Sequence, residues 1–148
     1  MAMKKIYSKI DRSLLLVQIN RVEDISVGKT QLSDPKEFLQ IGIMALKKGE
    51  HIAAHKHISR EGEKNVVTQE SWIVIRGSIK GTFYDIDDQV IGEDILYPGD
   101  CFIAYHGGHS LTNLEDNTAF YEIKTGPYKG RENDKIEIEE NELQPISN

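Results

Sequence analysis

Short segments typical of β-strands alternate with turn signals along most of this 148-residue chain, and this spacing restricts the fold more than any other feature. The chain holds 19 isoleucines and only 6 alanines, a bias toward strand formers and away from the best helix former. Turns rich in Gly, Pro, Asn and Asp separate the segments at short intervals, as in antiparallel sandwiches and barrels. We therefore predict an all-β fold with little helix and these strands: Leu14–Ile19, Phe38–Leu46, His51–Ile58, Glu70–Ile79, Gly81–Ile86, Gln89–Tyr97, Cys101–Tyr105, Ser110–Leu114, Thr118–Lys124 and Lys135–Glu139.

The chain is predicted to form one domain, because it contains no linker or internal repeat and its length suits a single core. Residues 37–138 are assigned to the β-barrel. Residues 1–36 are predicted to be a strand and loop extension that packs on the barrel or on a partner subunit. Residues 139–148 are predicted to be a polar tail.

Charge and composition exclude several classes of protein. A formal net charge of −6 argues against a nucleic-acid partner. No apolar run approaches the roughly 20 residues of a membrane helix, and Met1–Lys5 lacks the features of a secretory signal, so we expect a cytoplasmic protein with no membrane partner. The single cysteine, Cys101, rules out an internal disulfide or a multi-cysteine metal site, and we expect it to be a small core residue.

Two of the five histidines, His55 and His57, form an H-x-H pair on a predicted strand. Residues i and i+2 of a strand project from the same face roughly 6–7 Å apart, so two imidazoles could bind one ion. An isolated H-x-H pair is more often incidental, and its surroundings must decide its role.

The surrounding residues resemble the two sequence motifs of the cupin family. The first motif, G-x5-H-x-H…E-x6-G, is matched by Gly49, His55, His57, Glu70 and Gly77. The second, G-x5-P-x-G-x2-H-x3-N, is matched with two departures: tyrosine replaces proline, and one residue is missing before the histidine. Its positions here are Gly99, Tyr105, Gly107, His109 and Asn113.

A narrower resemblance covers nearly the whole chain. It is to a group of small bacterial cupins that often accompany enzymes building surface polysaccharides and unusual sugars. The segments that carry it are Glu37–Gln40, His55–His57, Thr68–Glu70, Gly99–Asp100, Gly107–His109 and Glu122–Tyr128.

The resemblance implies a jelly-roll barrel with one divalent metal ion held by His55, His57, Glu70 and His109. Three neutral imidazoles and one carboxylate suit Fe, Mn, Ni or Zn and leave one or two coordination positions open. Strand alternation favours Glu70 over Gln69, because Glu70 shares a face with Trp72 and Val74. The alternative is structural: a Glu70 salt bridge, and a His109 that caps the Gly107–Gly108 turn.

Other polar residues have two interpretations. His51 is expected to be structural or exposed, whereas His106 is predicted to be a catalytic proton donor or acceptor at the cavity mouth. Four residues near the end of the last long strand are predicted to bind a carboxylate or phosphate of a substrate. The alternative for them is a solvated basic turn paired with Glu132 or Asp134. These four are Lys124, Tyr128, Lys129 and Arg131.

Three functions are compatible with this site. The first is an enzyme that isomerises or epimerises a small polar metabolite such as a sugar derivative by Lewis-acid chemistry. The second is an Fe(II) dioxygenase, and the third a non-catalytic binding or regulatory cupin. We also expect a homodimer, as is common among such cupins, and ligand entry between Ile58–Gln69, His106–Gly108 and Lys124–Arg131.

Overall fold

The computed structural model describes residues 3–59 and 66–140. Helix within these ranges is limited to two single 3-10 turns, Val22–Asp24 and Arg131–Asn133. The strands are β1 (Lys4–Tyr7), β2 (Leu15–Ile19), β3 (Gly28–Gln31), β4 (Leu39–Leu46), β5 (His51–His57), β6 (Glu70–Arg76), β7 (Ile79–Tyr84), β8 (Val90–Leu96), β9 (Cys101–Ala104), β10 (Gly108–Asn113), β11 (Thr118–Thr125) and β12 (Lys135–Glu137).

Two antiparallel five-stranded sheets form the body of the protein. One has the order β12-β5-β10-β7-β8 and the other β3-β4-β11-β6-β9, so neighbours in each sheet come from distant parts of the chain. This arrangement confirms the predicted all-β jelly-roll fold. Within the described residues, no helix is both long and apolar enough to cross a membrane.

The observed strands differ from the predicted ones in two ways: one predicted strand is divided by a turn, and the structure contains two additional strands. The predicted strand Glu70–Ile79 is divided, because Gly77 has a φ of +71° and turns the chain between β6 and β7. A Cβ at this position would overlap Thr118, so only glycine fits there. The strands β1 and β3 were not predicted, since KKIY and GKTQ contain few apolar residues and β3 forms by pairing with β4.

The apolar core lies between the two sheets. Strand alternation builds it: on β6, Glu70, Trp72 and Val74 are buried, whereas Ser71 and Ile73 are only partly buried. The predicted alternation of β6 is thus confirmed. The core cluster consists of Met44, Trp72, Val74, Ile79, Leu96, Leu111 and Phe120.

The hairpin β1–β2 forms a small sheet of its own and exposes apolar side chains such as Ile6, Leu15 and Leu16. The expectation for Cys101 is wrong, because this cysteine is exposed. It lies on β9, an edge strand, where Phe102 packs against the core and Cys101 faces the opposite side. Residues 60–65 and 141–148, which belong to the predicted insertion and polar tail, lie outside the described residues.

Candidate metal centre

A β-bulge in β5 determines which histidines face the interior. Along β10, His109 pairs with His55, but Leu111 pairs with Ile52, so β5 contains one extra residue between these two pairs. His55 and Ile52 therefore both face inward. His51 is on the outer side, where its imidazole contacts Thr112 Oγ1 at 3.1 Å and Glu140 at 2.8 Å. The expectation that His51 is structural or exposed is confirmed, because its side chain is 38% exposed. The bulge, rather than distance along the strand, separates it from the other two histidines.

Four side chains converge at one end of the barrel interior. One ligand atom from each of His55, His57, Glu70 and His109 lies within 4.8 Å of the others. The Nε2 atoms of His57, His109 and His55 lie 2.8, 3.1 and 4.0 Å from the same oxygen, Glu70 Oε2. The side chains of His55, Glu70 and His109 are at most 4% exposed. The structure thus brings together the four residues that the cupin resemblance implied.

Hydrogen-bond partners orient the ligand atoms. The Nδ1 atom of His55 lies 2.8 Å from the carbonyl oxygen of Ala53, which requires the proton on Nδ1 and leaves a lone pair on Nε2. The Nδ1 atom of His57 lies 3.4 Å from Asp134 Oδ1, an ion-pair distance without hydrogen-bond alignment. Trp72 Nε1 donates to Glu70 Oε1 at 3.0 Å, so the indole holds one carboxylate oxygen while the other faces the imidazoles.

Burial and neighbouring charges set the pKa values of this cluster. Burial alone would raise the pKa of Glu70, but the three imidazoles hold it well below its usual range. Burial lowers the pKa of His109. Burial would also lower the pKa of His57, but the carboxylates of Asp134 and Glu70 outweigh it and raise this pKa to about 9.

The donor set fits a divalent metal ion. Three Nε2 atoms face one carboxylate oxygen, and two of the imidazoles have a carbonyl or carboxylate oxygen near Nδ1, as ligating histidines require. The Nδ1 atom of His109 is buried without a partner among the described residues. Imidazole and carboxylate ligands suit Mn, Fe, Ni or Zn, so a divalent metal site is supported and the choice of metal is left open.

Known structures share this architecture. The Cnp3 cupin domain of Schizosaccharomyces pombe aligns with 84% of this chain and 82% of its own, with a TM-score of 0.58 and 10% identity. KdgF from Halomonas sp. aligns over 66% of this chain and 76% of its own, with a TM-score of 0.51 and 18% identity. This chain has the cupin fold.

A structure of oxalate decarboxylase from Bacillus subtilis, concerned with its Mn(II) centres, aligns over 69% of this chain with a TM-score of 0.53 and 25% identity. The aligned part of this chain covers only 24% of that enzyme's length. No protein-family model and no curated protein matches the sequence.

A polar cavity of about 510 Å³ lies beside the cluster, at the edge where β3 and β4 face β5 and β12. Three of the four predicted substrate-binding residues, Lys124, Tyr128 and Arg131, line it, whereas Lys129 does not. Asp134 also lines it and connects it to the cluster, because its side chain lies 3.4 Å from His57. The carboxylate of Asp134 therefore links the cavity, and the predicted anion-binding residues that line it, to the candidate metal site.

The basic residues of the cavity are largely paired with acids. Lys124 Nζ lies 3.1 Å from Asp134 Oδ2 and 4.6 Å from the centre of the Tyr128 ring. Arg131 pairs with Glu137 at the surface. The alternative interpretation of this loop is a solvated basic turn paired with Glu132 or Asp134. The structure agrees with the pairing, because Asp134 pairs with Lys124, but this ion pair is largely buried, with both side chains only about one-tenth exposed.

His106 is exposed on the turn between β9 and β10, three residues before His109. No contact between it and the cluster is present in the described part of the chain, so its catalytic role stays a prediction. The predicted border Ile58–Gln69 is described only at its ends, where Ser59 pairs with Val67 and Thr68 Oγ1 donates to Asp134 at 2.6 Å.

Sequence reasoning missed four charged residues near the cluster and the cavity: Lys29, Glu122, Asp134 as a partner of His57, and Lys135. Lys29 Nζ lies 2.8 Å from Glu122 Oε1, and Glu122 is only 5% exposed. The available signal was the alternation of Phe120, Glu122 and Lys124 on β11, which places all three on the inward face.

Proposed function

We propose that this protein is a metal-binding cupin enzyme that acts on a small polar metabolite, such as a sugar derivative, by an isomerase- or epimerase-type proton shift. The observation that carries the proposal is the convergence of three imidazoles and one carboxylate next to a polar cavity of about 510 Å³. A cavity of this size suits a small metabolite. When bound, a divalent ion would supply Lewis-acid polarisation of a ligand oxygen.

The amides on the cavity wall suit the hydroxyl groups of such a ligand. The Gln40 side chain is buried and its Nε2 atom donates to the carbonyl oxygens of Asp34 and Glu37. Gln31 Nε2 donates in turn to Gln40 Oε1 at 3.1 Å, which leaves the Gln31 amide oxygen to accept a hydrogen bond. The amide network is thus held in place before a ligand enters, which reduces the cost of binding.

A proton shift also requires a group that accepts and returns a proton. Glu122 suits this role because it faces the interior on the same sheet face as Glu70, with Lys29 holding its carboxylate. Burial raises the pKa of Glu122, and the charge of Glu70 raises it further, which brings the carboxyl closer to working pH. We assign Glu122 the role of base and retain His106, which is exposed on the turn between β9 and β10, as a second candidate.

Metal analysis of untagged protein tests the first part of the proposal. We expect about one Mn, Fe, Ni or Zn ion per chain, and almost none in the double variant His55→Ala, His57→Ala. His51→Ala is the matched control, because His51 lies on the same strand but faces outward. Full metal content in the double variant, or loss of metal in the control, would contradict the assignment.

The reaction is tested with the metal-loaded protein in D₂O. Sugar phosphates, sugar acids and nucleotide sugars are incubated with it, and NMR measures deuterium incorporation next to the carbonyl. Exchange that disappears in Glu122→Gln, with metal content unchanged, would support the proton shift. Oxygen uptake by the Fe(II) form would instead favour a dioxygenase, and saturable binding without exchange or oxygen uptake a non-catalytic cupin.

We further propose a role in surface-polysaccharide or unusual-sugar metabolism in the cytoplasm, and a homodimer. The first rests on the resemblance of the segments given above. The dimer is supported by the exposed apolar residues of the β1–β2 hairpin, since a two-stranded sheet has little stability of its own. Analytical ultracentrifugation at micromolar concentration tests it, and a monomer would contradict it.

A further inference from the structure

Lys135 differs from the other cations of the cavity because no acidic partner for it lies within the described residues. Four cationic side chains line the cavity: Lys29, Lys124, Arg131 and Lys135. Lys29 is paired with Glu122, Lys124 with Asp134 and Arg131 with Glu137. Across residues 3–59 and 66–140, Lys135 forms neither an ion pair nor a side-chain hydrogen bond.

The position of Lys135 relates it directly to the metal centre. In the pairing of β12 with β5, Lys135 lies opposite His57. Directly opposed residues of an antiparallel pair project from the same sheet face with Cβ atoms about 4.5–5.5 Å apart. The Lys135 side chain therefore extends from the same face as a predicted metal ligand and lines the cavity next to it.

The surroundings of Lys135 disfavour an uncompensated positive charge. Its side chain is partly buried, and burial lowers its pKa, with Lys124 and Lys29 lowering it further against the opposing effect of Glu70 and Glu122. A half-buried ammonium group without a partner is costly, and an anion in the cavity would remove that cost. A divalent ion beside it would add further positive charge.

We propose that the ligand of this cavity is an anion, and that Lys135 binds its carboxylate or phosphate group while the rest of the ligand faces the metal centre. This inference rests on the proposed function, because it specifies the class of metabolite that the site accepts. It also assigns Lys135, rather than the paired Lys124 and Arg131, as the main anion contact.

Calorimetric titration of the metal-loaded protein tests the proposal with three probes: gluconate, glucose 6-phosphate and neutral glucose. We expect one or both anions to bind and glucose to bind at least tenfold more weakly. The anion that binds more tightly identifies the group as carboxylate or phosphate. Equal binding of glucose and both anions, or no saturable binding of either anion, would overturn the proposal.

Variants locate the contact. Lys135→Met should weaken anion binding roughly 10- to 100-fold, as expected for the loss of one charged hydrogen bond. Lys135→Arg should retain most of the affinity, and Lys36→Met, at an exposed position outside the cavity, should change nothing. Unchanged affinity in Lys135→Met would overturn the assignment.

Metal content is measured on every sample, so that two failures stay separate. Wild-type protein without metal would contradict the proposed function, while titration of the same sample still reports on Lys135. Normal metal content with anion binding that is indifferent to Lys135→Met would contradict only this inference. Circular dichroism and thermal unfolding check that each variant is folded.

Discussion

The two ends of the barrel interior differ in chemistry although the same strands build both. On β6, the inward side chain changes from Glu70 to Trp72 in one step of two residues, and on β10 from His109 to Leu111. One end is therefore a close-packed apolar core, and the other a cluster of buried charges beside a cavity. The comparison indicates that the apolar end supplies stability, whereas the polar end depends on the rigidity of its neighbour.

Trp72 forms the boundary between the two ends. Its ring packs edge-on against the rings of His109 and Phe102, with centroids 4.9 Å apart in both pairs, while its N–H group holds Glu70. A fully buried indole has few alternative rotamers in a dense core. The apolar end thus positions the metal-ligating groups through one residue.

The largest effect is expected at the apolar end. Phe120→Ala removes a fully buried ring and should reduce the free energy of unfolding by about 3–5 kcal/mol, measured by chemical denaturation. The folded fraction should bind metal more weakly, because the Phe120 ring packs against Trp72, whose N–H group holds Glu70. Unchanged metal affinity in folded Phe120→Ala protein would contradict the dependence of the polar end on the packing of the apolar end.

The pH dependence of the free energy of unfolding distinguishes the polar end from the apolar end. It is measured on protein from which a chelator has removed the metal. The pKa of His57 is raised from 6.5 to about 9, so its stabilising effect is complete below pH 6.5 and is lost as the pH rises through about 9. The free energy of unfolding should decline over this interval by up to about 3 kcal/mol. His57→Gln should flatten the profile, whereas Phe120→Ala should lower the whole curve without changing its slope. A wild-type profile without this decline would contradict the role of His57.

A smaller effect is expected from Asp134, which orients His57. Asp134→Asn should weaken metal binding by about 10- to 100-fold, measured by competition with a metal-sensitive dye, because partners of ligating histidines typically contribute this much. Asp88→Asn is a suitable control. Asp88 pairs with Lys56, which lies on β5 between the ligands His55 and His57, but this ion pair is not part of the cluster. Equal metal affinity in the two variants would remove Asp134 from the site.

The sequence was sufficient for the fold and for the cluster of four residues because both depend on local signals. Strand alternation and turn residues identified ten strands, and the resemblance of two short motifs to those of cupins implied the cluster of His55, His57, Glu70 and His109. The missing signals are non-local. Lys29 meets Glu122, and Lys135 lies opposite His57, only through the order and register of strands that no single segment encodes.

The bulge in β5 shows the same limit within one strand. Counting by twos from His57 places His51 on the inner face, but the extra residue between Ile52 and His55 reverses this. An extra residue among HIAAHKH has no signature in a single sequence, because alanine fits either face. Similarly, Cys101 has apolar neighbours but lies on an edge strand, and edge position depends on the topology of the sheet.

The bulge also affects how this gene can tolerate the loss of a codon. The ligands His55 and His57 are held by pairing with β10 and β12, on the C-terminal side of the extra residue. Deletion of Ala53 would remove the extra residue and leave both flanks in register: His55 would stay opposite His109 and Ile52 opposite Leu111, so Ile52 would still face inward and His51 outward. The change would fall on Ala53 itself, because its carbonyl oxygen accepts the hydrogen bond from His55 Nδ1 and would be removed with the residue. Loss of this one codon would thus preserve the register of the strand and change the hydrogen bonding of a single ligand.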